Sequence, residues 1–449
     1  MTQLSPKPRA AWPSVVMPSI LLLVAAVVSV ALACKGASWS LETVKAYGTG
    51  ALVGIALLCA AACSRMFGRP GLLALHLGFA LVLGGWVVNE VAGGEEGYLQ
   101  LAPGQAGDVA GQDQLTLLDF TIDRWEDTGT VRQYTSKVRN GKGEELEISV
   151  NHPLVVRPWW VYQSSYQAME DPHTGEVAHD PRTGEPRYFT ILQCVKDVGL
   201  PLAAFGGVLL LLGGAVYGVA FLVRTERCGA TLPPAVEKVP CRYVLTCVAG
   251  LEFLVGLAVF VHRAWATGHP PMQNMYEFLI CTAVLLPVLT LVSTWCDRQN
   301  TLCVDSALFL LVLGALIFMD GTVKHLMPAL QSPFFVPHVG AYVAGYVLLV
   351  RAALGAGRRL VGLGFFFLTV GLVLGAAWGK VCWGNWWQFD PKEMWSLATW
   401  LHYAAYLHLR PRLPRWADRA FLVAGAVLVV LTLTWINLSR IFSGMHSYG

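Results

Sequence analysis

Charged residues are scarce in this chain: Asp, Glu, Lys and Arg make up only 14% of its 449 residues. Soluble domains carry roughly 25%. The shortage excludes a large soluble multidomain enzyme. Paired cysteines are also missing. The eleven cysteines form no CxxC pair and no CxxCH haem-attachment site. A disulfide framework is not supported, and the missing CxxCH argues against a c-type cytochrome. Most of the cysteines lie in or beside apolar runs and read as small buried side chains. No basic tail or interleaved basic and aromatic patch is present, which argues against nucleic-acid binding.

What the chain does have is apolar surface. Hydrophobic residues make up 55% of it, and the mean hydropathy is +0.52. A membrane-spanning helix needs roughly 20 mainly apolar residues. Eleven stretches qualify or nearly do: 14–34, 48–64, 71–92, 198–223, 241–262, 276–296, 301–319, 339–355, 361–377, 395–409 and 420–438. The expected fold is an α-helical polytopic membrane protein with about eleven spans. The first stretch is too long for a signal peptide and shows no clear cleavage site, so it reads as a retained helix. With the N-terminus inside, the inner loops hold sixteen Lys and Arg, Arg351 among them, against seven on the outer side. This bias puts the N-terminus in the cytoplasm and the C-terminus outside.

One polar insert, 93–197, remains on the outer side. LTLLDFTIDRW (115–125) and ELEISV (145–150) alternate apolar and polar residues, and GKG, DPHTGE and DPRTGE are turn signals, so a mainly β domain is expected. The insert has 17 acidic and 9 basic residues, a net charge of −8. The small net charge of +3 over the whole chain is a cancellation between this acidic domain and a basic inner face.

The densest signal is WGKVCWGNWWQFDPKEMWSLATW at 378–400, which holds six of the sixteen tryptophans. An interfacial aromatic belt accounts for one or two Trp per helix end. It does not account for Trp383, Trp386, Trp387 and Phe389 crowded before Asp390. Gly384 would let backbone approach a ligand closely. Pro391 and Glu393 suit the first turn of a following helix. Such a loop forms a broad apolar surface suited to stacking a large planar ligand, and Lys380 or Lys392 could meet its carboxylates.

WGNWWQFDPKEMWSLATW resembles the WWD motif of the haem-handling superfamily, and more closely the CcsA (ResC) family of cytochrome c biogenesis. NMYEF (274–278), PALQSPFFVPHVGAYVAGY (328–346), WLHYAAYLHLR (400–410) and GMHSYG at the C-terminus carry the same resemblance, over about 241–449. The N-terminal half, through LLALHLGFALVLGG (72–85) and its layout, is similar to a CcsB (ResB) partner. The resemblance implies four parts: a CcsB-like membrane part over 1–92, an outer β-rich domain over 93–197, a fourth helix with a cytoplasmic linker over 198–240, and a CcsA-like haem-handling domain over 241–449. It implies a holocytochrome c synthase of the cytoplasmic membrane. Such a protein carries haem b to the outer face and joins its vinyl groups to the CxxCH cysteines of apocytochrome c. Its partners would be haem, apocytochrome c, a thiol reductant system and membrane lipid. A haem transporter or chaperone serving a separate ligase, and a redox subunit holding haem permanently, are the competing readings.

Histidine inside a membrane span is costly and usually functional, and it is the commonest haem ligand. His76 and His408 both lie near the inner edge of their spans, so they could share one iron if those spans touch. His402 is six residues from His408, rotated by roughly 240°, and cannot face the same iron. His338, after the breaker-rich SPFFVPH, and His446, past the last span, belong at the outer surface with the Trp loop. The family's membrane histidines map to His76 and His408, and its outer histidines to His338 and His446. The expected ligands are these four, with Trp383, Trp386, Trp387 and Asp390 contacting the ring. His262, His269 and His325 are outer-side alternatives, while His152, His173 and His179 read as surface residues. Asp390, Lys392 and Glu393 either order the loop and contact haem carboxylates or simply cap a helix. Glu252, alone in mid-span, is a candidate for function or a protonated packing group.

Overall fold

The computed structural model describes residues 69–438, apart from 93, 171–175, 180–183, 185, 230–238, 296–299, 357–359 and 389. The two N-terminal stretches expected to span, together with His173, Phe389, His446 and nearly all of the DPHTGE and DPRTGE turns, lie outside the described residues.

The other nine expected spans are all helical: α1 (Pro70–Val91), α2 (Leu200–Gly229), α3 (Val239–Thr267), α4 (Met275–Trp295), α5 (Leu302–Ile317), α6 (Phe335–Ala353), α7 (Val361–Trp383), α8 (Pro391–Leu409) and α9 (Arg415–Leu438). Among the described residues, seven helices are long and apolar enough to cross a membrane. The two that fall short are α5 and α8. At 16 residues, α5 is about 24 Å long, short of a full hydrocarbon core. Polar residues including Lys392, Glu393, His402 and His408 dilute α8, which instead packs inside the bundle, with Thr399, Trp400 and Tyr403 to Tyr406 buried.

One helix start, that of α6, differs from expectation, while that of α8 falls where Pro391 and Glu393 put it. Pro337 and Pro391 lie in the first turns of α6 and α8, where a missing N–H leaves no hydrogen bond unmade. The breaker-rich run therefore continues into α6, and His338 stands inside that helix rather than just ahead of it. Arg351, counted above among the inner loop charges, is instead fully buried. Its Nε and Nη2 donate to Asp305 at 2.6 and 2.7 Å. Nη2 also reaches Ser293 and Thr301, each at 3.1 Å. The cluster ties the ends of α4, α5 and α6 together.

Helices α1 and α2 pack antiparallel through two glycine series spaced by seven residues. Gly71, Gly78 and Gly85 face Gly213, Gly206 and Gly199. A Cβ at Gly78 would stand 2.7 Å from Gly206 O, and one at Gly206 would stand 2.7 Å from Gly78 O. Small residues let membrane helices approach to backbone contact, where packing replaces the hydrophobic drive that lipid removes. Gly206→Leu is expected to separate this pair and lower accumulation of the intact protein in membranes severalfold. Gly250→Leu, with open space around its Cβ position, is expected to leave it unchanged. Quantitative immunoblotting of membranes reads both.

Between α1 and α2 the chain forms eight strands: β1 (Glu95–Leu101), β2 (Ala106–Asp108), β3 (Gln114–Arg124), β4 (Val131–Arg139), β5 (Glu145–Ser149), β6 (Leu154–Val156), β7 (Trp159–Ala168) and β8 (Tyr188–Lys196). They make two antiparallel sheets, ordered β1-β8-β7-β6 and β2-β3-β4-β5. The alternation at 115–125 places Leu115 and Leu117 inward, where they meet Val138, Ile148, Val161 and Leu192. The GKG turn joins β4 to β5. Of the cysteines among the described residues, Cys194, Cys281 and Cys382 are buried as expected, while Cys247 and Cys303 are exposed on the flanks of α3 and α5.

Candidate functional site

The β domain lies at the end of the bundle where α1 stops and α2 begins. Alternation of helix direction puts the starts of α4, α6 and α8 and the end of α7 at that same end. The N-termini of α1 and α9 and the C-termini of α6 and α8 lie at the other. His338 and the Trp loop therefore sit on the β-domain side, and His76 and His408 on the opposite side.

At the far end, the imidazoles of His76 and His408 meet edge to face, with ring centroids 5.9 Å apart. Each Nδ1–H donates to the carbonyl four residues back, Leu72 O at 2.8 Å and Ala404 O at 2.7 Å. Both protons are thus assigned to Nδ1, and each Nε2 carries a lone pair. Phe79, one turn along α1, stacks on Trp400 of α8 at 5.2 Å, which holds the two helices in register. His402 turns the other way and donates from Nε2 to Phe421 O at 2.8 Å.

At the β-domain end a cavity opens among α4, α6, α7, α8 and α9. His338, Tyr342 and Tyr346 line it from α6, where a spacing of four residues stacks them on one helical face. Trp378 and Trp383 line it from α7, Trp387 from the loop, and Lys392, Glu393 and Ser396 from α8. His338 donates from Nδ1 to Gly371 O at 2.9 Å, which leaves the lone pair on Nε2. Its ring is seated against Gly375, where a Cβ would lie 2.5 Å from its Cε1. Trp378 is fixed by its indole N–H to Ala329 O at 3.1 Å.

The remaining loop residues go elsewhere. Trp386, expected against the ring of a ligand, donates its N–H to Asp197 Oδ2 at 2.9 Å and does not line the cavity. Lys380 is paired with the same Asp197 oxygen at 3.0 Å, so Lys392 is the lysine that faces the cavity. Gly384 does serve a close approach, at φ +78°, but to Tyr162 and Val195 of the β domain rather than to a ligand. Asp390 caps α8: its carboxylate accepts from Lys392 N at 2.8 Å, while Glu393 reaches back to the N–H groups of Gln388 and Asp390.

The loops beside the cavity are tied down by groups that sequence reasoning missed. Arg263 and Glu277 form a buried pair at 3.0 Å, and Arg263 also donates to Gly321 O and Thr322 O. Glu277 belongs to the NMYEF segment, but its partner is 14 residues away with no local signal. His325 stacks on Trp125 at 4.3 Å and donates to Asp127 at 2.7 Å. That hydrogen bond holds the Asp127 carboxyl below its ordinary value. Burial pushes the Tyr134 hydroxyl, beside the same loops, up to about 12. Asn151 donates to Pro328 O, Ala329 O and Gln331 O. His269 is held by backbone carbonyls, and His262 and His179 are exposed. Glu252 is half-buried in α3, with Oε2 lacking a partner among the described residues.

A bundle of apolar helices with an aromatic cavity at one end, a histidine pair at the other and a β domain against the cavity defines a polytopic membrane protein with a sheet domain. Residues 356–446 match the family model described as Cytochrome C assembly protein, and residues 59–182 match that of the ResB-like family. Cytochrome c biogenesis protein CcsA of Prochlorococcus marinus (strain MIT 9303) is 30% identical over 272 residues, covering 46% of this chain and 84% of the relative. CcsA of Chlamydomonas reinhardtii is 29% identical, covering 44% and 67%. CcsA of Parasynechococcus marenigrum (strain WH8102) is 28% identical, covering 56% and 95%. The chain belongs to the CcsA family of cytochrome c biogenesis proteins, with a ResB-like part fused ahead of it.

Proposed function

We propose that the chain is a cytochrome c synthase that receives haem b on the cytoplasmic side, presents it on the outer side and joins it to CxxCH cysteines of apocytochrome c. The observation that carries this reading is the placement of lone-pair imidazoles at both ends of one helical bundle. His76 and His408 can share an iron at one end. At the other, His338 enters a cavity walled by Trp378, Trp383 and Trp387. Helix α8 connects the two stations: Lys392 to His408 spans about 24 Å, so most of the hydrocarbon core separates them. His446 is the second outer ligand in this reading, and Lys392 the partner of a haem carboxylate.

The reaction adds each thiol across a vinyl double bond: a C–S bond forms, and the thiol hydrogen ends on the neighbouring vinyl carbon. The chain's part is to hold the haem so that its vinyl groups meet the thiols, and catalysis of this kind is largely positioning. A thiol reductant system keeps the cysteines reduced. The lysine and arginine bias supports a cytoplasmic side for the N-terminus and the His76–His408 pair and an outer side for the acidic β domain. The working parts are residues 1–92, 93–197, 198–240 and 241–449.

The test is expression beside a CxxCH apocytochrome in a host lacking other maturation genes. Covalent haem on the reporter is expected. Haem that co-purifies with the chain while the reporter stays apo would instead favour a transporter or chaperone. In the same system His76→Ala is expected to lower haem content and reporter maturation at least tenfold. Unchanged haem content in that variant would sink the inner site.

A further inference from the structure

Asp197 stands between β8 and α2, in the N-terminal half just beyond the segment that matches the ResB-like family. Its side chain is 6% exposed. One oxygen, Oδ2, accepts from Trp386 Nε1 at 2.9 Å and from Lys380 Nζ at 3.0 Å. Lys380 Nζ also donates to Gly384 O at 2.8 Å. Gly384 in turn is pressed on the β domain, its Cβ position 3.0 Å from both Tyr162 Cδ2 and Val195 Cγ2. Gly384 and Trp386, on either side of Asn385, are therefore fastened to the N-terminal half, Trp386 by its bond to Asp197 and Gly384 by its packing on Tyr162 and Val195 and through Lys380, which Asp197 also holds.

The residues on either side of this fastened segment are Trp383 and Trp387, and both line the cavity. The backbone from which both indoles project is held by this segment. An ammonium and a carboxylate buried together also resist separation, because parting them leaves charges without water. We propose that Asp197 is a positioning residue through which the N-terminal half sets the Trp383–Trp387 wall of the cavity. It acts through Lys380 and Trp386 and does not touch the ligand. The inference rests on the cavity being the haem site proposed above, and it gives the fusion of the two halves a physical purpose: the cavity of one is shaped by a carboxylate of the other.

The test uses the full chain in membranes and detergent, with three readouts. They are backbone hydrogen exchange over 384–388, the absorption spectrum of co-purifying haem, and covalent haem on the reporter. Asp197→Ala is expected to speed exchange at 384–388 at least tenfold while the middle of α7 stays protected. It should alter the haem spectrum and lower reporter maturation on the order of tenfold to a hundredfold, the scale of a small misplacement. Asp197→Asn with Lys380→Met removes both charges and keeps an acceptor for Trp386. It is expected to return maturation to within about threefold of the parent, since a neutral pair avoids the stranded ammonium. Trp386→Phe is expected to lower maturation alone but to add nothing in the Asp197→Ala background, as members of one network do.

Unchanged exchange and spectrum in Asp197→Ala would overturn the proposal. So would a double variant no better than Asp197→Ala, which also decides the matter if Asp197→Ala alone fails to accumulate. The exchange readout does not depend on the reaction. A parent that never matures the reporter yet shows the exchange change would refute the synthase reading and leave the fastening intact.

Discussion

Replacing Gly375 by alanine is expected to lower reporter maturation on the order of tenfold to a hundredfold while the protein accumulates normally. The added Cβ would stand 2.5 Å from Cε1 and 2.8 Å from Nδ1 of His338. Real side chains do not tolerate such distances, and the far side of the contact is the rigid α7 backbone. The imidazole must leave its seat, and the hydrogen bond from Nδ1 to Gly371 O is lost with it. That bond selects the tautomer whose Nε2 can bind iron, so two conditions for ligation fail together. His338→Ala serves as the comparison: it should abolish maturation and shift the haem spectrum. The double variant is expected to be no worse than His338→Ala, because both act through one ring. Full maturation with an unaltered spectrum in Gly375→Ala would show that the seat of His338 is immaterial.

The largest effect on stability is expected at Arg351. Its guanidinium and the Asp305 carboxylate are essentially without solvent contact. Thr290 and Thr301 add hydroxyls to the same carboxylate at 2.8 and 2.7 Å. Arg351→Met leaves Asp305 buried without its counter-charge, at a cost of about 3–5 kcal/mol. The variant should lose its folded form in detergent at a clearly lower temperature than the parent. Arg351→Met with Asp305→Leu removes both charges and is expected to recover most of that loss, since a buried pair is replaceable by apolar residues of similar volume. A single variant as stable as the parent would show that the pair contributes nothing. Because the cluster lies at the end of the bundle away from the cavity, the double variant should keep its reporter maturation.

Much of the membrane part was legible because its causes are local. Seven of the described helices follow from apolar length, and the start of α8 follows from Asp390, Pro391 and Glu393 within four residues of one another. His338, Tyr342 and Tyr346 share a helical spacing that periodicity alone could have linked, once Pro337 is recognised as a first-turn residue rather than a breaker. The paired glycine series of α1 and α2 were also present as a repeat of seven, and pass unnoticed only when each helix is read by itself.

What determined the site was less local. By itself the sequence established a membrane protein of many spans, an acidic β-rich insert, a concentration of tryptophan before α8 and histidines toward both ends of its helices. Hydropathy, alternation and capping act over a few residues, so a linear reading captures them. Only the tertiary structure decided which of those residues meet. It turned Trp386 and Lys380 away from the cavity and onto Asp197, 189 residues from Trp386. It seated His338 on a glycine of another helix and gave Gly384 to the β domain. The physical reason is that a buried charge or indole N–H takes whichever partner the packed helices bring within about 3 Å, and no local pattern in the chain names that partner.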